Sequence, residues 1–245
     1  MWASAAAVMP KYSDHKMIFY RRARDYVDQV EMRVGFTDIL SASYLQATIL
    51  ICVFEYKTML LGRALLTAAK AARVATILNL SRIDSNEPGR KKTLSEAEDF
   101  IELEERRRTF WGAFTCDRFD QPWTGWSCYF NDANITTNLP CNEEAFENGT
   151  EEKSFKMKEI LSHDCSKLSS FAGHLITVAL SNKIINLALQ AEEENLKDID
   201  SPWWKTYEWL NDILVRFQEA LPRHLRLPDA MDHPDVVSVN LSLQA

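Results

Sequence analysis

The eight prolines of this chain divide it into long proline-free stretches, and this spacing constrains the fold more than any other feature. They stand at positions 10, 88, 122, 140, 202, 222, 228 and 234. Proline lacks a backbone N–H and clashes with the preceding turn, so it is excluded from helix interiors. The segments between the prolines have helical patterns. The sequence therefore predicts an all-α protein.

Capping signals set the expected helix boundaries. Gly35 ends the first helix, Thr37 is the expected N-cap of the second, and Ser95 with Glu98 forms a capping box for the fourth. Pro202 is the expected first residue of the last helix, behind Ser201. The predicted helices cover about 13–34, 38–55, 57–79, 95–119, 152–194 in one or two pieces, and 202–221. A loop over 82–94 and a further segment opening at His233-Pro234 complete the prediction.

The third predicted helix, 57–79, is small or apolar on nearly every face, which is typical of a helix at the centre of a bundle. A different pattern follows from about 121 to 150, where helical periodicity disappears. Connections of this length are usually functional or disordered, and the aromatic residues within it favour order, with at most a short strand. We therefore expect a multi-helix bundle-like domain with one long irregular connection at about 121–150.

Composition excludes several classes of function. With 46% hydrophobic residues, the 245-residue chain can bury a sizeable core, as one domain or two packed halves. A net charge of −7 argues against direct nucleic-acid binding by this segment. The five cysteines lack metal-binding spacing, so we expect reduced thiols and no metal site. The longest apolar run, 47–54, is far below the ~20 residues of a membrane span, and no secretory leader is evident; we expect a soluble, intracellular protein.

The run Arg106-Arg107-Arg108 looks basic, but successive helical residues diverge by about 100°, so it cannot form one stripe. Arg107 falls within the apolar row of Phe100, Leu103, Phe110 and Phe114. It should be partly buried and need a carboxylate partner. Asp117 is ten residues away, or ~15 Å along the axis, so we expect the partner to come from another segment.

Catalytic motifs are scarce. Asp117 and Asp120 form a D-x-x-D pair, which leaves open an alternative: a magnesium-dependent, all-α isoprenoid cyclase-like enzyme. No second acidic cluster supports it, and the histidines lack metal-ligand spacing. No nucleophile elbow or phosphate-binding glycine loop is present, so we expect no enzyme. Some aromatic side chains could line a ligand pocket or simply fill the core: Trp111, Trp123, Trp126 and Tyr129.

An ordered series of residues resembles the fungal-specific transcription factor domain, the middle homology region of fungal zinc-cluster regulators. In that family an arginine-rich helix leads through an aromatic pair to Asp-Arg, then to a Gly-containing turn and a closing Leu-Pro. The family-motif residues here are Arg107, Arg108, Phe110, Trp111, Phe114, Asp117, Arg118, Gly125, Trp126, Leu139 and Pro140, with Glu105, Arg106, Thr109 and Ile135 around them.

The resemblance extends over nearly the whole chain. Upstream it includes Ser43-Tyr44-Leu45-Gln46-Ala47 and Leu78-Asn79-Leu80; downstream it includes Phe171-Ala172-Gly173 and Leu221-Pro222-Arg223-His224-Leu225. Ser127 departs from the usual proline after Gly-Trp, and the chain ends at Leu243-Gln244-Ala245, where related chains continue. We therefore assign 1–245 to one such domain, incomplete at its C-terminus, with its core motif at 95–150. A truncated, inactive fragment is a further alternative.

The resemblance implies a nuclear regulator of transcription. The family's expected partners are transcriptional co-regulators, other domains of the same factor and a small-molecule inducer. Full-length relatives bind DNA through a six-cysteine cluster holding two zinc ions. This chain contains no such cluster, so the resemblance implies no cofactor and no DNA contact for it.

Overall fold

The all-α prediction is confirmed by a computed structural model, which describes residues 1–33, 37–85, 93–162, 168–191, 198 and 200–221. Within these ranges there is no strand beyond an isolated bridge between Asn138 and Lys156. The α-helices are α1 (Trp2–Val8), α2 (Lys16–Glu31), α3 (Ala42–Lys57), α4 (Leu61–Ile77), α5 (Phe100–Arg118), α6 (Gln121–Thr124), α7 (Glu143–Glu147), α8 (Ser170–Ala191) and α9 (Pro202–Ala220). Short 3-10 helices cover Pro10–His15, Leu80–Arg82, Asp132–Asn134 and Met157–Ser162.

Two helices begin four residues later than their first capping signals predict. The Ser41 hydroxyl, rather than Thr37, caps α3 by accepting a hydrogen bond from the backbone N–H of Tyr44 at 3.2 Å. The Asp99 carboxylate, rather than Ser95, caps α5 by accepting from the N–H of Glu102 at 2.8 Å. Capping residues recur within each region, and periodicity alone does not choose between them.

The chain divides into two compact units, and both are discontinuous in sequence. Unit 1 contains Met1–Glu96, Thr109–Asp117 and Tyr129–Ile135. Unit 2 contains Ala97–Arg108, Arg118–Cys128 and the described residues from Thr136 onward. Helix α5 supplies residues to both units.

In unit 1, α3 and α4 bury side chains in a shared apolar cluster. Cys52, Tyr56, Ala64, Ala68 and Cys116 form its buried part. The prediction that α4 is buried on nearly every face was wrong, because 73% of Leu66 is exposed. Alanines allow close packing on one side of α4 and leave its opposite side open to solvent.

In unit 2, α8 and α9 are the long helices. The predicted 152–194 helical region divides into the Met157–Ser162 turn and α8, and α9 begins at Pro202 as predicted. Among the described helices, α8 has the length and composition of a membrane span, and it is longer than the apolar run 47–54. However, 50% of its apolar window is buried inside the protein. This is weak evidence for a span, since a core helix has the same properties.

The connection at 121–150 is mostly irregular, as predicted, and contains only the short helices α6 and α7 with one 3-10 turn. Helix α1 was not predicted; its seven residues include four alanines, which give no clear amphipathic period. Most of the predicted 82–94 loop, the 222–225 motif and the segment from His233 lie outside the described residues.

Candidate regulatory site

The family-motif residues lie on α5 and in the connection that follows it. In unit 2, the motif arginines gather around Glu104, a residue outside the motif as given above, whose side chain is fully buried. Its carboxylate accepts a hydrogen bond from the backbone N–H of Cys141 at 2.9 Å. It also pairs with Arg107 at 3.4 Å and with Arg108 at 3.2 Å. A buried carboxylate needs such partners, because burial removes the water that would otherwise stabilise its charge.

Arg107 is 7% exposed, which agrees with its predicted burial. The expectation that its carboxylate partner comes from another segment was wrong for this ion pair. Glu104 lies three residues earlier on the same helix, and residues at this spacing face each other. The i, i+3 and i, i+4 spacing of Glu104 to the two arginines was present in the sequence, and it was overlooked.

Arg108 joins α5 to the segment that begins at Cys141. One guanidinium nitrogen, Nη1, donates to both carboxylate oxygens of Glu143 at 2.8 Å, and Nη2 donates to the carbonyl of Cys141 at 3.1 Å. The guanidinium also lies over the Phe146 ring, 4.2 Å from its centroid. Although partial burial opposes it, the ion pairs with Glu143 and Glu104 raise the pKa of Arg108. Arg108 therefore stays charged and holds this segment.

The Leu139-Pro140 pair is buried in the same unit. The N–H of Leu139 donates to the carbonyl of Phe155 at 2.8 Å, and the Pro140 carbonyl accepts from the Ser169 hydroxyl at 3.2 Å. Ser169 Oγ also accepts from the N–H of Ala172 at 3.1 Å, at the start of α8. The closing Leu-Pro thus connects to the beginning of α8.

In unit 1, the aromatic motif residues form a closed cluster. Phe110, Trp111 and Phe114 on α5 are fully buried, and Phe130 is 7% exposed. Phe110 contacts Trp111 edge-on with ring centroids 4.9 Å apart, and Phe130 edge-on at 5.3 Å. Edge-to-face pairs of this kind stabilise a core beyond the burial of their area.

The Asp117 side chain fixes the backbone at Tyr129 and Phe130, next to this aromatic cluster. Its two carboxylate oxygens accept from the N–H groups of Tyr129 at 2.9 Å and Phe130 at 3.0 Å. Because both oxygens bind backbone N–H groups, the structure gives Asp117 a positioning role and lends no support to a magnesium ligand.

Arg118 is buried in unit 2, where it donates to the side-chain oxygen of Asn182 on α8. The amide of Asn182 donates in turn to the sulfur of Cys128 at 3.2 Å. Gln121 similarly donates to Asn186 at 2.5 Å. These amides on an otherwise apolar helix were missed in the sequence, where a lone asparagine carries no distinctive signal.

Gly125 ends α6 in the left-handed conformation, with φ of 67°, which favours glycine. Its N–H donates to the Gln121 carbonyl at 2.8 Å. The next residue, Trp126, is 61% exposed. The Gly-Trp element of the motif is therefore a tight turn followed by a solvent-facing ring.

The predicted pocket residues have different environments. Trp111 is fully buried in unit 1, whereas Tyr129, also in unit 1, is 48% exposed and accepts a hydrogen bond from Arg73 at 3.3 Å. Trp126 belongs to unit 2, and the Trp123 side chain lies outside what the structure describes. A ligand pocket formed by these four residues remains a prediction.

Metal-ligating side chains are not gathered in the described part of the chain, where no group of three or more His, Cys, Asp or Glu residues could hold an ion. Burial raises the pKa of Asp120 and so disfavours the charged form that magnesium binds. The described cysteines do not fit a zinc cluster either. Cys52 and Cys116 lie in the apolar cluster, and burial together with Glu104 raises the pKa of Cys141 to about 11.

Comparison with known proteins gives the same family as the motif. Residues 35–219 match the model of the fungal specific transcription factor domain. A pigment biosynthesis transcriptional activator of Monascus ruber is 29% identical over 90% of this chain and 40% of its own length. A depudecin biosynthesis cluster-specific transcription activator of Alternaria brassicicola is 27% identical over 92% of this chain and 35% of its own length.

A citrinin biosynthesis transcriptional activator of Monascus ruber is 23% identical over 100% of this chain and 48% of its own length. The chain thus spans less than half the length of these curated relatives. No solved structure matches it. The family match covers most of the chain and includes the whole of the α5 motif, so the chain belongs to the fungal specific transcription factor domain family.

Proposed function

We propose that this chain is the regulatory region of a transcription activator dedicated to one biosynthetic pathway, that it acts in the nucleus, and that it has no enzymatic activity. The relatives named above are activators of pigment, depudecin and citrinin biosynthesis. The role proposed for this segment is to alter the output of the factor that contains it.

The observation that carries the proposal is that two charged motif residues, Arg108 and Asp117, together with the neighbouring Glu104, serve as internal connections. Glu104 and Arg108 hold the backbone of Cys141 and the side chain of Glu143 in unit 2. Asp117 holds the backbone of Tyr129 and Phe130 in unit 1. Side chains used in this way support conformation rather than chemistry. An effector acts on such a protein by binding one arrangement better than another.

We assign DNA binding to the zinc cluster that the resemblance implies for full-length relatives. Two features of the chain support this assignment. Its net charge is −7, and counter-ion release from DNA requires unopposed Lys and Arg. The described cysteines have environments that do not suit a zinc cluster. The partners of this region are then co-regulators, other domains of the factor and a small-molecule inducer.

The experiment is a reporter assay with the whole chain fused to a heterologous DNA-binding domain. We expect reporter output to differ from that of the DNA-binding domain alone, and Arg108→Gln to change it. The matched control is Arg106→Gln, because the described ion pair of Arg106 lies one turn back, with Glu102 on the same helix. Thermal unfolding of each purified variant separates a regulatory effect from loss of the fold. Output identical to the DNA-binding domain alone for every fusion and condition would overturn the proposal.

A further inference from the structure

Within unit 1, helix α2 packs against α3 and α4 with few fully buried side chains. It buries two of its 16 residues, Tyr20 and Val27. Helix α3 buries eight residues in the same length. Since burial of apolar side chains is the main source of stability, α2 contributes much less of it than α3. Polar contacts must account for a large part of its attachment.

The first polar contact is centred on Glu55 of α3, which is fully buried. Its carboxylate accepts hydrogen bonds from the Tyr20 hydroxyl of α2 at 2.5 Å and from the Thr67 hydroxyl of α4 at 2.7 Å. Arg24 of α2 adds an ion pair at 3.5 Å. The Tyr20 ring also stacks on Phe54, with centroids 5.0 Å apart. One carboxylate thus connects α2, α3 and α4.

The second polar contact is centred on Glu31 at the end of α2. Its Oε1 accepts from the Tyr44 hydroxyl of α3 at 2.7 Å and from Lys70 of α4 at 2.6 Å. The same three helices are joined, but here the acid is on α2 and the tyrosine on α3. The Glu31 and Lys70 side chains are 31% and 34% exposed, so water reaches this contact.

The two contacts are reciprocal. Tyr20 and Glu31 are eleven residues apart on α2, and Tyr44 and Glu55 are eleven residues apart on α3. Eleven residues are about three helical turns, so both groups of each helix lie on one face, ~16 Å apart. Each helix therefore offers one tyrosine and one glutamate to an antiparallel neighbour in a single register.

Polar contacts of this kind fix the register of α2 against α3 and α4. Their separation costs less free energy than that of an apolar interface. When α2 leaves, water replaces Tyr20 and Arg24 around Glu55 and solvates the carboxylate. Separation of an apolar interface has no such compensation. The family match begins at residue 35, after α2 ends, so α3 and α4 belong to the matched region and α2 does not.

We propose that α2 is a releasable strap: it lifts from α3 and α4 while those helices stay folded, and it uncovers a face formed by Tyr44, Phe54, Glu55 and Thr67. That face combines a carboxylate, a tyrosine hydroxyl and an aromatic ring. The seated and lifted forms are two discrete arrangements of unit 1. Their use as the inactive and active arrangements of the regulator rests on the function proposed above.

Hydrogen exchange of the intact chain, followed by mass spectrometry, tests the strap independently of function. We expect α2 amides to exchange faster than those of α3 and α4. Tyr44→Phe should accelerate α2 exchange by about tenfold with little change in α3 and α4, because one hydrogen bond to a charged group is lost. The control is Tyr26→Phe, since Tyr26 lies on α2 itself and is 56% exposed. Equal exchange in all three helices, or a Tyr44→Phe effect spread over all three, would overturn the proposal.

A charge exchange between Glu31 and Lys70 gives a second readout. Lys70→Glu should accelerate α2 exchange, and adding Glu31→Lys should restore at least part of the protection. If the double variant restored none of the α2 protection, the Glu31–Lys70 ion pair would not be one of the contacts that hold α2 in place. In the reporter assay, Tyr44→Phe should shift output and Tyr26→Phe should not. If exchange behaves as expected and output does not shift, the strap stands and its regulatory use fails.

Discussion

Glu104 and Asp117 both place a carboxylate of α5 against the backbone of the connection that follows. Glu104 accepts from the N–H of Cys141, and Asp117 from the N–H groups of Tyr129 and Phe130. A backbone N–H held in this way is fixed in position regardless of the side chain it belongs to. These two residues therefore determine the path of the connection more directly than its own aromatic side chains do.

Replacement of Glu104, the fully buried carboxylate of the two, tests whether it holds the connection in place. Glu104→Gln removes the charge that Arg107 and Arg108 share, although Arg108 keeps its ion pair with Glu143, and loss of one partner of a buried ion pair costs about 3 kcal/mol. We expect the free energy of unfolding in urea to fall by that order. Glu105→Gln, at the exposed neighbouring position, should change it by less than about 0.5 kcal/mol. Equal losses in the two variants would show that Glu104 does not have this role.

Asp117→Asn separates the positioning role from a metal-binding role. The amide group can accept only one of the two backbone N–H bonds and turns its own N–H₂ toward the other. We expect a loss of about 1–3 kcal/mol in unfolding free energy. Adding magnesium should leave the melting temperature of the parent chain unchanged. A magnesium-dependent rise that disappears in Asp117→Asn would instead favour the enzyme alternative.

The sequence predicts part of this arrangement. Its order of residues located the motif, and its apolar row predicted the burial of Arg107, because both depend on local spacing. It did not identify Asn182 as the partner of Arg118, which is 64 residues away. Contacts between distant residues depend on tertiary packing, which one sequence does not encode in any short pattern.

At the scale of helices, the connection between α3 and α4 contains a residue in an unfavourable backbone conformation. Met59 has φ of 60°, in the left-handed region that side chains other than glycine disfavour. It ends α3 in a Schellman motif: the N–H of Leu60 bonds the Glu55 carbonyl at 2.9 Å and the N–H of Met59 bonds the Tyr56 carbonyl at 3.1 Å. Asn79 ends α4 in the same conformation, which asparagine tolerates better.

Met59→Gly should therefore stabilise the protein by about 1 kcal/mol. The Met59 side chain is 72% exposed, so little packing is lost with it. The comparison variant is Gly62→Ala, where a Cβ would meet no atom within 4 Å. It should also stabilise, by about 0.5–1 kcal/mol, through helix propensity. Thermal unfolding measures both, and a lower melting temperature for Met59→Gly would contradict the proposed cost.

The existence of the long helices was predictable, and so were their ends to within a few residues, except that α8 begins at Ser170 in a region predicted to be helical from about 152. Helix α9 begins and ends as expected because Pro202 and its amphipathic period agree. Helices α3 and α5 start later because the capping residues that form hydrogen bonds, Ser41 and Asp99, come second in sequence. The one-sided burial of α4 had a signal in the sequence, because Arg63, Lys70 and Arg73 recur at helical spacing on its solvent side, but the many alanines and leucines around them obscured it.

For the whole chain, the division into two units could not be read from the sequence. Each unit takes residues from separate stretches, and α5 belongs to both. Stability measured on the intact protein therefore combines contributions from both units. Its pH dependence is a sum over groups whose pKa values differ between the folded and unfolded chain.

Between pH 7 and 5, His174 should dominate this dependence. Burial lowers its pKa, so the folded protein favours the neutral ring. The stability this contributes is complete above the unfolded pKa, ~6.5, and is lost as pH falls toward the folded value. Partial burial alone would raise the pKa of Glu31, but hydrogen bonds from Lys70 and Tyr44 lower it, so its contribution is lost only below ~4.3. The contribution of Asp120 to the pH dependence has the opposite sign, because burial raises its pKa and the folded protein disfavours its charged form.

We therefore expect the urea midpoint of the parent chain to fall from pH 7 to pH 5 and to stay nearly constant over that range in His174→Gln. His15→Gln is the matched control, because His15 is exposed, and it should keep the parent's slope. The sign is decisive: a midpoint that rises on acidification would mean that the charged ring is favoured in the fold. A fall of equal size in His174→Gln would assign the loss to other groups.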